Sequence, residues 1–124
     1  MIKPEQFKEG TPERKLAEFY EAWQAMAWER MIKCLQKTSR AIVREDYELA
    51  KHYFRFKPMD VEIVEGKYLN EMVFEARIRI SYKIAREVVK TVETKVRVVK
   101  EKEAMLPDPE GEWGVNHLTA VVVI

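Results

Sequence analysis

The hydrophobic positions change their period once along the chain, and the change divides it in two. In the first part Leu16, Phe19, Tyr20, Trp23 and Ala27 recur at helical spacing, and a second stripe follows at Trp28, Met31, Ile32 and Leu35. Residues three and four apart share a helix face, so each stripe predicts an amphipathic helix. Thr11-Pro12-Glu13 supplies the start. The hydroxyl can cap, proline's fixed φ suits the first turn, and the acid sits where the helix dipole favours an anion. No Pro or Gly separates the stripes, so the periodicity allows one long helix or two with a bend at Met26-Ala27. Thr38-Ser39 then weakens the pattern. A short segment carrying Tyr47, Leu49, Ala50, Tyr53 and Phe54, capped by Asp46, predicts a further helix that Pro58 ends.

Beyond Met59 the period becomes two. Met72, Phe74, Ala76, Ile78, Ile80, Tyr82 and Ile84 alternate with Val73, Glu75, Arg77, Arg79, Ser81 and Lys83. Successive strand side chains point to opposite faces, so the even series is predicted to be buried and the odd series solvated or at an interface. Another long strand is predicted over Val88 to Val99. An earlier one spans about 60 to 68, with Gly66 as a candidate bulge, and a last one spans 113 to 124 after a Pro/Gly loop at 107–111. The connections are too short for crossover helices, which makes the sheet antiparallel. The expected architecture is α+β: helices over about 12–56 on one face of a strongly curved, four-stranded antiparallel sheet over about 60–124. Such long strands must twist and coil, giving a cone. Residues 1–10 read as a polar leader to a single domain, 11–124.

Composition narrows the partners. The 124 residues hold 22 Lys+Arg against 21 Asp+Glu, a net charge of +1. That balance removes the electrostatic case for nucleic acid or an anionic membrane. The single cysteine, Cys34, can form neither an internal disulfide nor a thiolate cluster, and beside Leu35 it reads as a buried, inert thiol. His52 has no metal-spaced partner, so neither a metal nor another cofactor is expected. No apolar run approaches a membrane span, and MIKPEQFKEG lacks the apolar core of a signal peptide, so the expected location is the cytoplasm. Abundant Glu and Lys with few Asn and Gly is a bias of heat-adapted proteins, shared by ordinary soluble domains.

Taken together, these elements resemble the nuclear-transport-factor-2-like superfamily, a cone-shaped α+β fold also called cystatin-like. The carriers are Thr11-Pro12-Glu13 before Leu16-Ala17-Glu18-Phe19-Tyr20, then Trp28-Glu29-Arg30-Met31 and Asp46-Tyr47-Glu48-Leu49-Ala50 as later helices. Gly111-Glu112-Trp113-Gly114-Val115 opens the last strand. Met26-Ala27 stands where such families often have a Gly-Asp turn. The resemblance implies a conical pocket between the concave sheet and the helices. It also implies kinship with ketosteroid isomerases, SnoaL-like cyclases, dehydratases, transport factors and non-catalytic modules, many of which pair through their sheets. Enzymes of this kind use a carboxylate or histidine as base, with tyrosine or a second acid as electrophile.

On the inner strand face the polar positions are Tyr82, Lys90, Thr94 and His117, and Glu75 and Glu93 fall on the other face. A general base must be a titratable group poised in a water-poor site. The candidates are therefore His117 or Asp60 as base, with Tyr20 or Tyr82 as donors. Tyr20, Trp23, Trp28, Tyr82, Trp113 and His117 are candidates to line a pocket for a small apolar ligand. Each has a plainer role: the aromatics can fill the core, Lys90 can snorkel at the rim, and Asp60 can serve a turn. The missing inner acid favours a non-catalytic binding or assembly module, holding an apolar ligand or a protein partner, over a lyase or isomerase moving a proton. A homodimer through the outer sheet face is also expected. Val89 and Val99 lie on that face, Val121 to Ile124 are apolar on both, and Arg77, Arg79 and Lys95 mix with Glu75 and Glu93. Opposite charges in that pattern can pair across a two-fold axis.

Overall fold

A computed structural model describes residues 1–43 and 47–120. Helix α1 spans Pro12–Gln24, and the Thr11 hydroxyl accepts the Arg14 N–H at 3.2 Å as its cap. It ends at Met26, whose φ of 54° is left-handed, and the Ala27 N–H turns back to the Ala22 carbonyl. Helix α2, Trp28–Cys34, therefore starts in a new direction, and the two stripes are two helices. A third helix that the sequence pattern did not predict, α3 (Lys37–Val43), follows directly. Helix α4 is Tyr47–Tyr53. Asp46, the expected cap of that segment, lies outside the described residues.

The sheet is antiparallel, with β1 (Pro58–Asn70), β2 (Val73–Ala85) and β3 (Val88–Glu103) in spatial order. Two short strands, β4 (Leu106–Pro107) and β5 (Glu112–Val115), both pair with β3, so five strands replace the expected four. Ile78 lies between Ile63 and Thr94, and Ile80 between Val61 and Val92. Phe74 to Tyr82 follow the predicted alternation, even residues buried, while Met72 and Ile84 at the ends are half-buried. Gly66 does not mark the bulge. The nearest of three register shifts in β1 falls between Ile63 and Glu65, and at Gly66 the Phe74 ring lies where a Cβ would stand.

The predicted strand over 113–124 is corrected. Strand β5 stops at Val115, and α5 (His117–Ala120) follows. Asn116 is the cause: its Oδ1 accepts the Thr119 N–H at 3.0 Å, its carbonyl accepts the Ala120 N–H at 3.2 Å, and its Nδ2 donates to Gln36 Oε1 at 2.9 Å. An Asn cap of this kind ends strand pairing and begins a helix. Val121–Ile124 lie outside the described residues. At the other end, Ile2 and Pro4 are buried and the Ile2 N–H donates to the Val61 carbonyl at 2.9 Å, so the first residues strap along β1.

The core lies between the helices and one face of the sheet. Phe19, Tyr20 and Trp23 from α1 interlock with Phe54, with ring centroids 5.0 to 5.9 Å apart, over Val61, Ile78, Ile80, Val96 and Val98. The Trp23 indole N–H donates to the Phe54 carbonyl at 3.1 Å, so its one polar atom is satisfied. Among the described residues no helix is long and apolar enough to cross a membrane.

Candidate functional site

The buried polar groups gather where the end of β3 meets α3 and α5. Glu101 is buried, and its carboxylate accepts the Thr38 N–H at 2.9 Å and the Thr38 hydroxyl hydrogen. Thr38 Oγ1 in turn accepts the Met105 N–H at 2.7 Å. A helix leaves its first N–H groups unpaired, and here a strand carboxylate satisfies one of them with a charge-assisted bond. The next residue, Ser39, is buried against α5. Its hydroxyl accepts the His117 backbone N–H at 3.2 Å and lies 2.8 Å from His117 Nδ1. The hydroxyl oxygen has a second lone pair, so it can donate to Nδ1 or accept from it, and the contact holds the ring in place in either tautomer. Nε2 is buried with no hydrogen-bond partner, and the Tyr53 ring meets the imidazole edge-on at 5.2 Å. Burial holds the His117 pKa below its ordinary value, so the ring is neutral at physiological pH.

A serine hydroxyl beside an imidazole is the first half of a nucleophile–base pair. Here both residues are only about 1% exposed, and both hydroxyl contacts go to His117 itself. The pair can pin α5 to α3, and a substrate atom has no access to it. His117, expected on the inner face of a strand, stands instead on the first turn of α5, because the Asn116 cap intervenes.

The other candidates are dispersed. Tyr20 is stacked on Trp23 in the core, its hydroxyl buried without a partner, and desolvation pushes its pKa far above the ordinary value. Tyr82 lies under Phe56 with its hydroxyl likewise unpartnered, and burial raises its pKa. Asp60 is 56% exposed on β1, where its bond to the N-terminal amine holds its carboxyl below the usual range. Strand β2 and then β3 separate it from α5, so Asp60 and His117 occupy opposite sides of the sheet. Trp28 is half-buried at the start of α2. Trp113, on β5, has the Lys100 ammonium over its ring at 5.2 Å and borders an open groove of about 470 Å³ beside Thr11, Arg14 and Glu18. Cys34 is buried, and its thiol is pushed up to about 11 by desolvation. A larger open groove, about 690 Å³, lies at the far end of the sheet between Gln24, Lys57, Met59 and Ile84.

Sequence reasoning missed Glu101, Thr38, Ser39 and Asn116. Glu101 sits in the run Lys100-Glu101-Lys102-Glu103, which reads as solvated. Asn116 carried a usable signal, since asparagine is a favoured helix N-cap.

No protein-family model matches the chain, and no curated protein matches it. Solved structures do. The fold is similar to that of SEC-C motif containing proteins. One, from Rhodopseudomonas palustris, is 8% identical with a TM-score of 0.69 over 90% of this chain and 80% of that one. Another, from Psychrobacter arcticus, is 15% identical with a TM-score of 0.67 over 95% of this chain, which spans 64% of that protein's length. Likeness at these identities is one of fold. It overturns the resemblance to the nuclear-transport-factor-2-like superfamily, since SEC-C motif containing proteins are a different fold family. The residues that carried that resemblance are a helix cap, amphipathic stripes and a strand start, which many α+β chains share. The segment read as the superfamily's last strand is four residues of β5 and then a helix.

Proposed function

We propose that the chain is a non-catalytic binding or assembly module that works through its sheet and holds a protein partner there. The observation that carries this is the filled interior: Leu16, Phe19, Tyr20, Trp23 and Phe54 are fully or almost fully buried and occupy the space where a ligand would sit. The outer face supports the same reading. Arg79 pairs with Glu62 at 2.8 Å and Glu93 at 2.9 Å, Arg77 with Glu65 at 3.2 Å and Glu93 at 3.4 Å, and Arg97 with Glu75 at 3.4 Å. Exposed pairs add little stability, but they hold long side chains in fixed positions, which lowers the entropy cost when a partner docks. The cone-like curvature expected of the long strands belongs to this reading, supported by the three register shifts in β1, since bulges bend a strand.

A proton-transfer enzyme is the second reading, and the neutral His117 ring with its free Nε2 is the observation in its favour. Oleate and the dye 1-anilinonaphthalene-8-sulfonate separate the two. A packed interior takes up neither, so saturating amounts of either should leave the melting temperature unchanged. A saturable rise in melting temperature that Met59→Asp in the open groove leaves intact would mean that the interior opens to an apolar ligand, and would overturn the filled-interior reading.

A further inference from the structure

The strand β3 is half paired. β2 flanks it from Val88 to Val99, but on its other side β5 begins only at Val98. From Val88 to Val96, among the described residues, that side carries no strand. The direction of its backbone groups follows from Arg97. The Asn116 N–H donates to the Arg97 carbonyl at 2.9 Å, and the Arg97 N–H donates to Thr119 Oγ1 at 3.0 Å, so both groups of Arg97 point to this side. Alternation along a strand then turns the N–H and C=O of Val89, Thr91, Glu93 and Lys95 the same way. A row of unpaired strand groups is a template for another strand. The exposed apolar residues of this edge stand at its two ends: Val88 and Val89, 50% and 52% exposed, at the β2–β3 turn, and Leu118, 64% exposed, on α5.

We propose that this edge pairs with the same edge of a second copy, antiparallel, about a two-fold axis through Val92. The proposal rests on the assembly reading and names its partner. In this register Val89 faces Lys95 and Thr91 faces Glu93, in both directions, so every free N–H and C=O of the four residues finds a partner. On the inner face Val88 meets Val96, Lys90 meets Thr94, and Val92 meets its own copy. No like charges stand opposite each other. An axis one residue later sets Glu93 against Glu93, a repulsive pair. Two residues later, the pairing would require the backbone groups of Arg97, which α5 already uses. The chosen register also brings the exposed Val88-Val89 turn of each copy toward the α5 that carries Leu118 in the other. The product is one continuous sheet in which β3 and its copy are the central strands.

The test uses the full chain. Light scattering at micromolar concentration should give twice 14.7 kDa. Thr91→Pro removes an edge-facing N–H that bonds to nothing among the described residues, so it should halve the mass with the circular dichroism unchanged. Val92→Cys should form a disulfide-linked dimer under mild oxidant, while Val96→Cys, opposite Val88, should not. A wild-type mass of 14.7 kDa overturns the proposal. So does a dimer that Thr91→Pro leaves intact and Val92→Cys does not cross-link. If that dimer is split by Arg77→Glu, the contact is the outer face, and the assembly reading stands without the edge. Slow amide exchange at Thr91 and Glu93 in a monomer would assign the edge to the chain's own residues 121–124 and would likewise overturn pairing with a copy. The oleate and dye measurement tests the module reading independently of all these outcomes.

Discussion

Replacing Ile78 with alanine probes the faces of β2 most directly. Ile78 is fully buried, flanked in the ladder by Ile63 and Thr94, in the same core cluster as Phe19, Tyr20, Trp23 and Phe54. Truncation removes three carbons, or about 2.4 kcal/mol at roughly 0.8 kcal/mol for each buried carbon. Ladders on both sides hold the backbone, so the neighbours close in only partly, and the residual cavity brings the cost to about 3–4 kcal/mol. In a chain of this length that lowers the melting temperature by about 10–15 °C. Arg77, the adjacent residue, points the other way and pairs with Glu65 and Glu93 while more than a third exposed. Arg77→Ala should cost about 0–1 kcal/mol, and less at high salt. Urea titrations followed by far-UV circular dichroism, with the slope checked for constancy, measure both. Equal costs, or a larger one at Arg77, would refute the assignment of faces, because a one-residue slip exchanges every side chain between core and solvent.

Two further predictions concern the buried polar cluster. Glu101→Gln leaves a neutral oxygen for the Thr38 N–H and takes away the acceptor of the Thr38 hydroxyl proton, and should destabilise by about 1.5–3 kcal/mol with faster amide exchange in α3. A loss under about 0.5 kcal/mol would show that the carboxylate does not hold this helix end. His117 has a folded pKa below its value of 6.5 in the unfolded chain, so between the two the unfolded chain binds more protons. Its contribution is therefore complete above about pH 6.5 and is lost as the pH falls from there through the folded pKa. Urea midpoints for His117→Asn should be flatter than wild type across that window, and superimposable pH profiles would remove His117 as the source of the slope.

What was legible in the sequence is what short-range chemistry decides. The Thr11 cap, the helical stripe of α1, the change of period near Pro58 and the alternation of β2 each depend on residues a few positions apart, and the structure contains them all. The break at Met26 was legible only as one of two alternatives, since the periodicity fitted one long helix as well as two. A left-handed methionine is unfavourable alone and persists because the Ala27 N–H reaches Ala22 and α2 packs back on α1. Helix α3 was invisible because the carboxylate at its first turn comes from Glu101, 63 positions away, within a run of charges that reads as solvent-facing. His117 lay in a pattern that suits a strand, and the tertiary structure made it part of a helix by bonding Asn116 to Gln36 and Ser39 to the His117 backbone. At Asn116 and His117 local preference is weak, and bonds to residues about 80 positions away outweigh it. The sequence by itself determined which stretches could be helix or strand and which faces were apolar. The tertiary structure decided which buried polar groups found partners, because a buried hydrogen-bonding group costs more unpaired than a weak propensity can repay.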